Sequence, residues 1–470
     1  MWPTETQTMA IRSPEQWRER LGKGLVRART IGCPVVVAQH EPLWETPDLF
    51  ELFAAAETRG QWRFLAARPD KGFALLTLGA ITEIQSAHEQ PFDDVRKRAR
   101  ALLRAADPEA LLVGGFAFAA LPSAERDPIW RSRGNARFVL PALIFTREGS
   151  ETWLTRLALV DPTEREDLLM HRCQWRALKL LGRASPEEAG SARLRSPPNA
   201  EGLTRYTNAA TEIIAAVRRG EAEKVVLACV ERVELGGELP TASVLRHLSE
   251  SHSNSFLFAE GLGDETFLGA TPEELIRLRG DAIVTSAVAG TVAHGDSAPG
   301  TARLARALRR SPKERAEHAF VVRAIEKALA GHCRELEVPR SPALLDTGSV
   351  QHLHTQIRGK LARPTHVLDL VARLHPTPAV AGTPHGRALE LIRKHEHLDR
   401  GWYAGPLGFF NGNGDGEFVV ALRCGLFSQH EARLYAGAGL VAGSEPELEA
   451  AETALKLRTL RGALEAACSG

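Results

Sequence analysis

Tyr435-Ala-Gly-Ala-Gly-Leu-Val441 runs into Gly443-Ser-Glu-Pro-Glu-Leu-Glu449-Ala-Ala-Glu452-Thr-Ala-Leu-Lys456 near the end of the chain. The first stretch predicts a strand ending in small residues, where a ligand carboxylate can approach backbone N–H groups. The second predicts a helix that projects Glu449, Glu452 and Lys456 from one face, by the i, i+3, i+7 rule. Two carboxylates on one stripe at a strand-to-helix corner suit a hard cation such as Mg²⁺, which takes a few carboxylates and then needs substrate oxygens. The same residues also suit a solvated helix face on which Glu452 and Lys456 form an i, i+4 ion pair.

Working outward, the 470 residues are 44% hydrophobic and 25% charged, a globular balance with material for a large core. Formal net charge is +1, from 59 basic and 58 acidic residues. Such a balance asks for neither nucleic acid nor an anionic membrane, so the expected partners are small molecules. Cys33, Cys173, Cys229, Cys333, Cys424 and Cys468 lie far apart with no C-x-x-C, and read as reduced thiols. No basic-then-apolar leader opens the sequence and no window approaches a membrane span. A cytoplasmic protein, monomeric or weakly dimeric, is expected.

Residues 183–202 form the clearest boundary, rich in Ala, Ser, Pro and Glu and interrupted by Ser196-Pro-Pro-Asn. It divides a β-rich N-terminal region, 1–195, from a C-terminal region, 196–470, that holds the candidate chemistry; both are expected to belong to one large fold. In the second, apolar spacing predicts a helix over 203–219 closed by Gly220, then a long strand over 224–235. Further strands are expected over 255–260 and 282–288. Ser311-Pro-Lys-Glu314 has the pattern of a capping box with proline at the first helical position, and the helix it opens carries Glu317 at the margin of a buried stripe. Asn411-Gly-Asn-Gly-Asp-Gly416 resembles the start of a calcium loop, but Leu422 stands where that loop needs a bidentate Glu, so a hairpin turn is expected.

Several segments occur together in one order: Lys224-Val-Val-Leu-Ala, Phe267-Leu-Gly-Ala-Thr-Pro-Glu273, Ala289-Gly-Thr291, Glu314-Arg-Ala-Glu317-His, Leu374-His-Pro-Thr-Pro-Ala-Val-Ala-Gly382, Gly401-Trp-Tyr-Ala-Gly-Pro-Leu-Gly408, Phe418-Val-Val-Ala-Leu-Arg423 and the closing stretch quoted above. With them the chain resembles the chorismate-utilising enzymes, and within these it is similar to the isochorismate synthases, with an N-terminal half like that of the longer, menaquinone-type forms. The resemblance implies an α+β fold in which two large, mostly antiparallel sheets pack as a sandwich with helices outside. It implies Mg²⁺ held by Glu317 and Glu452 with Glu449 close by, and chorismate and isochorismate as partners.

The implied reaction adds water at C2 of chorismate while the C4 hydroxyl leaves, which needs a base and an acid. By family correspondence Lys224 is the base and Glu273 the acid; Glu274 is a rival acid, set aside because Glu273 directly follows the motif proline. Taken singly, Lys224 suits an exposed strand edge and Glu273 the first turn of a helix after Thr271-Pro272. The substrate's carboxylates are assigned to Arg423, Lys456, Thr291 and backbone around Gly290, Gly437 and Gly439, with Tyr435 beside them. His375 either contacts the substrate or is a core histidine donating to a backbone carbonyl. His352-Leu-His354 and His395-Glu-His397 are read as surface or packing histidines.

Within the resemblance, Lys224 stands where amine-transferring members usually have glutamine, and Ala289 where aminodeoxychorismate synthases carry a nucleophilic lysine. Both favour water as nucleophile. Salicylate synthases share the lysine but differ over the segment matching His375 to Gly382. One departure is Cys229, in place of the arginine that commonly ends the Lys224 motif, which removes a fixed cation near the base.

Overall fold

The strand Ala136–Glu148 is the branch point of the architecture. In this computed structural model, which describes residues 14–57, 60–181, 200–237, 239–295, 297–348 and 350–468, one edge of that strand pairs with Phe73–Ser86. Its other edge is shared: the first half pairs with Leu111–Phe116 and the second with Glu151–Val160. Pro141, which has no N–H to give a ladder, sits at the changeover, opposite a register shift between Ala80 and Thr82.

Two arms leave this point. From Phe73–Ser86 one runs through Arg63–Arg68, Phe256–Leu262, Glu265–Thr271, Cys424–Phe427 and Glu431–Leu440 to Lys224–Glu234. From Leu111–Phe116 the other runs through Pro406–Asn411, Gly416–Val420, Glu274–Arg279 and Ala282–Ala293 to Val350–Leu361. All of these ladders are antiparallel. The expected α+β fold with two large antiparallel sheets is therefore present, the sheets being arms of one hydrogen-bonded network. Phe258 and Phe267 from one arm and Ile276, Phe410 and Phe418 from the other meet Phe138 in a single hydrophobic cluster.

Helices lie outside this core: Ala200–Arg218 packs on the Lys224 strand, Pro312–Ala330 on Ala282–Ala293, and Pro446–Cys468 on Glu431–Leu440. Ser311 caps the second of these as its sequence predicts, its hydroxyl accepting the Glu314 N–H at 3.3 Å. The helix expected over 203–219 starts three residues earlier and ends at Arg218, before Gly220 with φ +80°. Of the expected boundary, residues 183–199 lie outside the described residues. Asn411 Oδ1 accepts the N–H groups of Asn413 and Asp415, closing the expected hairpin between Pro406–Asn411 and Gly416–Val420. All six cysteines are free, and no helix among the described residues is long and apolar enough to cross a membrane.

Strands from both sides of residue 195 interleave: Arg63–Arg68 pairs with Phe256–Leu262, and Leu111–Phe116 with Pro406–Asn411. Phe138, fully buried, packs its ring at a tilt against Phe116, Phe410 and Phe418 across that junction. Phe138→Ala should destabilise the fold by about 3–5 kcal/mol, the usual cost of emptying a buried aromatic site. Denaturant unfolding followed by fluorescence and circular dichroism checks it, and both signals should move together.

Candidate active site

Between the two arms lies a polar cavity. Lys224, Val226, Gly437 and Gly439 wall it from one arm, Ala289 to Thr291 and His352 from the other, and Glu273 from the corner where the first arm passes into the second. Glu317, Glu452 and Lys456 reach it from helices. The two-residue period of the strand turns Lys224 and Val226 into the cavity and Val225 and Leu227 into the hydrophobic core. Lys224 is therefore 1% exposed, the opposite of a strand-edge lysine. Its ammonium donates to Glu317 Oε1 at 2.8 Å. Gly439 makes room for that pair, since a Cβ there would lie 2.5 Å from Lys224 Cε and 2.8 Å from Glu317 Oε1.

Three carboxylates from the two helices each meet a lysine. Besides Lys224 and Glu317, Lys456 lies 2.8 Å from Glu452, and Lys313 3.2 Å from Glu449. The Glu452–Lys456 pair allowed by sequence spacing thus forms, but on the wall of the cavity rather than on a solvated face. Burial pushes the Glu452 carboxyl up, and Lys456 outweighs it, leaving the group below the ordinary range. Glu314 is pushed up to about 7, by burial first and then by Glu317, against the pull of Lys313. As they stand, no three His, Cys, Asp or Glu side chains among the described residues are grouped to hold a metal ion. The donor chemistry fits a hard divalent cation all the same: carboxylate oxygen only, with enough mutual repulsion to raise a neighbouring acid.

Arg423 is buried, has φ +50°, and forms no salt bridge with a described carboxylate. Its guanidinium donates to His352 Nε2 at 3.1 Å, which leaves the imidazole proton on Nδ1, shared by the Gly290 carbonyl at 3.1 Å and Thr291 Oγ1 at 3.2 Å. Burial, then Arg423, drives the His352 pKa down to about 3, so the ring stays neutral and acts as a rigid spacer. Gly290 has φ +75° at a register shift between Ala289 and Thr291, a backbone that L side chains rarely adopt. Burial lowers the Arg423 pKa to about 10, still charged at neutrality. A buried cation without an acid partner is expensive unless a ligand supplies the anion.

Glu273 lies with Pro272 in the two-residue link between the strands Glu265–Thr271 and Glu274–Arg279 and is not in a helix, which excludes the first-turn alternative. Its N–H donates to Thr271 Oγ1 at 3.2 Å and its carbonyl accepts from Val420 N–H at 3.1 Å. The carboxyl is buried, and burial pushes its pKa up to about 7 against the Thr377 hydroxyl and the charge of Lys224. Glu274, the rival acid, is turned away from the cavity to Arg68 at 2.7 Å and Arg277 at 3.3 Å.

Some expected residues stand elsewhere. His375 does not line the cavity; its Nε2 donates to the Phe118 carbonyl at 3.0 Å, and burial takes its pKa to about 4, so it is the core histidine. Tyr435 lies behind the wall, stacked on Tyr403 at 5.3 Å, and Tyr403 takes the lining position. Glu449 is buried beside Lys313 rather than on the cavity surface. His352, read from the sequence as a surface or packing histidine, is instead buried in the lining, bonded to Arg423; Arg400 and Tyr403 are lining residues to which the sequence assigned no role. The two-residue alternation of the strand Val350–Leu361, not predicted from the sequence, is what turns His352 inward. Arg400 clamps buried Glu396 and the Val226 and Val380 carbonyls. A guanidinium therefore stands beside the Lys224 strand although Cys229 replaces the motif arginine. Cys229 itself is pushed to about 12, mainly by burial.

Gly439→Ala should fold normally but displace Lys224 and Glu317, with a loss of activity of about 10²-fold, the scale of an ångström misplacement. Unchanged circular dichroism beside reduced turnover is the expected result.

The profile of the family described as "Chorismate binding enzyme" matches residues 24–465. A Pseudomonas aeruginosa protein named "Salicylate biosynthesis isochorismate synthase" is 36% identical over 453 residues, covering 94% of this chain and 93% of its own. The Bacillus subtilis "Isochorismate synthase MenF" is 34% identical over 356 residues, 75% of this chain and 74% of that one. Among solved structures, the menaquinone-specific isochorismate synthase MenF of Escherichia coli superposes with a TM-score of 0.79 at 26% identity, covering 96% of this chain and all of that one. With the profile spanning nearly its whole length and a relative matched end to end, the chain belongs to the chorismate-binding enzyme family.

Proposed function

We propose that the protein is an isochorismate synthase, interconverting chorismate and isochorismate by water attack at C2 with loss of the C4 hydroxyl. The observation that carries this reading is one cavity that joins a buried lysine, a buried carboxyl that titrates near neutrality and a buried arginine in no salt bridge with a described carboxylate. Relatives named isochorismate synthase support it.

Lys224 takes a proton from the attacking water, and Glu273 gives one to the departing hydroxyl, so water enters and water leaves. As it stands the Lys224 amine is committed to Glu317, and a base needs a free lone pair. Glu317 and Glu452 would hold Mg²⁺, with Glu449 close by. The cation would anchor a substrate carboxylate and neutralise the acids that now engage the lysines. Arg423, held by His352, binds the other carboxylate, with Thr291, Lys456 and the backbone at Gly290, Gly437 and Gly439 around the ring. Ala289 keeps the wall small beside the reacting carbon, as water chemistry requires. The long N-terminal half favours menaquinone supply, with a siderophore pathway as the alternative. Length does not decide it, because a relative matched over 93% of its own length is named for salicylate biosynthesis. The proposed product is free isochorismate, consumed by a separate enzyme.

Incubating the protein with chorismate and Mg²⁺ should yield isochorismate by mass spectrometry; pyruvate and salicylate as the sole products would replace the reading by a lyase. Lys224→Ala and Glu273→Gln should each lower turnover by about 10² to 10⁴, the worth of positioned acid–base catalysis. An acid must carry its proton to act, so kcat/KM should fall as pH rises through about 7 and the Glu273 carboxyl ionises. Glu317→Gln should fold and raise the Mg²⁺ concentration that gives half-maximal turnover. Parent-like titration of that variant with Mg²⁺ would remove Glu317 from the metal set.

A further inference from the structure

We propose that Thr377 is a positioning residue that decides which oxygen of Glu273 carries the acid proton. The inference rests on the reading of Glu273 as the acid that protonates the leaving hydroxyl. Thr377 Oγ1 lies 3.2 Å from Glu273 Oε1, buried with it. The same oxygen accepts the Ala379 N–H at 3.2 Å. The Ala379 N–H occupies one of the hydroxyl's two lone pairs, and the hydroxyl proton is directed at Oε1, to which Thr377 donates. Oε1 is then an acceptor, since a hydrogen on Oε1 would set two protons face to face. The neutral carboxyl therefore carries its proton on Oε2.

The rest of Glu273 has little freedom. Thr271 holds its N–H and Val420 its carbonyl, and the next residue, Glu274, is tied to Arg68 and Arg277. What remains is rotation of the carboxyl about its own terminal bond, which is soft when nothing opposes it. Thr377 is the described contact that opposes it. In the reaction the Oε2–H bond breaks, its proton passes to the C4 oxygen, and the C4–O bond breaks as water departs. The electron pair of the O–H bond stays on Oε2, leaving a carboxylate whose Oε1 already accepts from Thr377. One hydroxyl thus presents the acid and stabilises its conjugate base.

The test compares Thr377→Val, which removes the hydroxyl at similar volume, with Thr377→Ser, which retains it, and with Glu273→Gln. Thr377→Val should lower kcat by about 10- to 100-fold, the span of one hydrogen bond to a charged group, with KM little changed. It should also move the alkaline limb of kcat/KM to higher pH, because a donor that favours the carboxylate is gone. Thr377→Ser should restore both. Lys224 is the charged group facing Glu273, and Glu314 titrates in the same range; both are common to all the Thr377 variants, so only differences between these are read. A folded Thr377→Val protein with parent kcat and an unmoved limb overturns the proposal. So does a fall in kcat that leaves the limb in place and is not restored by serine. Should the valine protein not fold, Thr377→Ala carries the same expectations. Full turnover by Glu273→Gln would remove instead the acid role on which the inference rests.

Discussion

The ion pair between Lys224 and Glu317, 2.8 Å long with the lysine almost wholly out of water, is the constraint around which the cavity is built. Desolvating such a pair costs several kcal/mol per ion, returned only where the geometry is close. Close geometry explains the neighbours. Gly439 is bare because a side chain would strike both partners, and Thr383 and Gly439 flank the first turns of the strand through their ladders with Lys224 and Val226. Lys456 with Glu452 and Lys313 with Glu449 repeat the solution on the adjoining helices, so the acids are neutralised by groups able to release them. Arg423 breaks the pattern, being charged, buried and in no salt bridge with a described carboxylate, although the charge of Glu452 reaches it. A buried guanidinium that no carboxylate contacts directly is the feature that most directly asks for an anionic ligand.

The N-terminal region contributes more to this site than its lack of chemical motifs suggests. Arg68 bridges Glu274 and Glu417 and so holds the corner that carries Glu273. The Phe118 carbonyl takes the proton of His375, and the Phe118 ring lies 4.2 Å from the Arg400 guanidinium carbon. None of these groups lines the cavity beside the proposed acid and base, yet each fixes one that does or its neighbour. Strain is concentrated in the same place: Ala404 and Arg423, both lining residues, have φ of +62° and +50°. Left-handed backbone at non-glycine residues costs of order 1–3 kcal/mol and persists only where the surroundings over-determine it.

Much of the architecture was legible along the chain. The Lys224 strand, the Ser311 cap and the hairpin at residues 411–416 follow from apolar period, capping chemistry and glycine placement, which are local effects. Lys224, Glu273, Glu317 and Glu452 were legible as a set through their motifs, and they do meet in one cavity. His375 and Tyr435 were not separable from lining residues, because a motif position tells which segment is near a site, while the side chain's direction depends on what fills the space beside it. Here the Phe118 carbonyl captured His375, and Tyr403 came between Tyr435 and the cavity. His352 was passed over for the converse reason: a histidine on an alternating strand looks alike on either face.

By itself the sequence determined the α+β class, the strands and helices that bear the charged groups, and the family. These depend on neighbours a few residues apart, or on an ordered series of motifs, and neither needs a third dimension. Only the tertiary structure decided that Glu274 turns to Arg68 while Glu273 faces the cavity, that Thr377 meets Glu273 across 104 residues, and that Arg423 forms no salt bridge with a described carboxylate. Those outcomes depend on burial and on pairings between distant strands, which set both the direction of each side chain and the energetic cost of its charge.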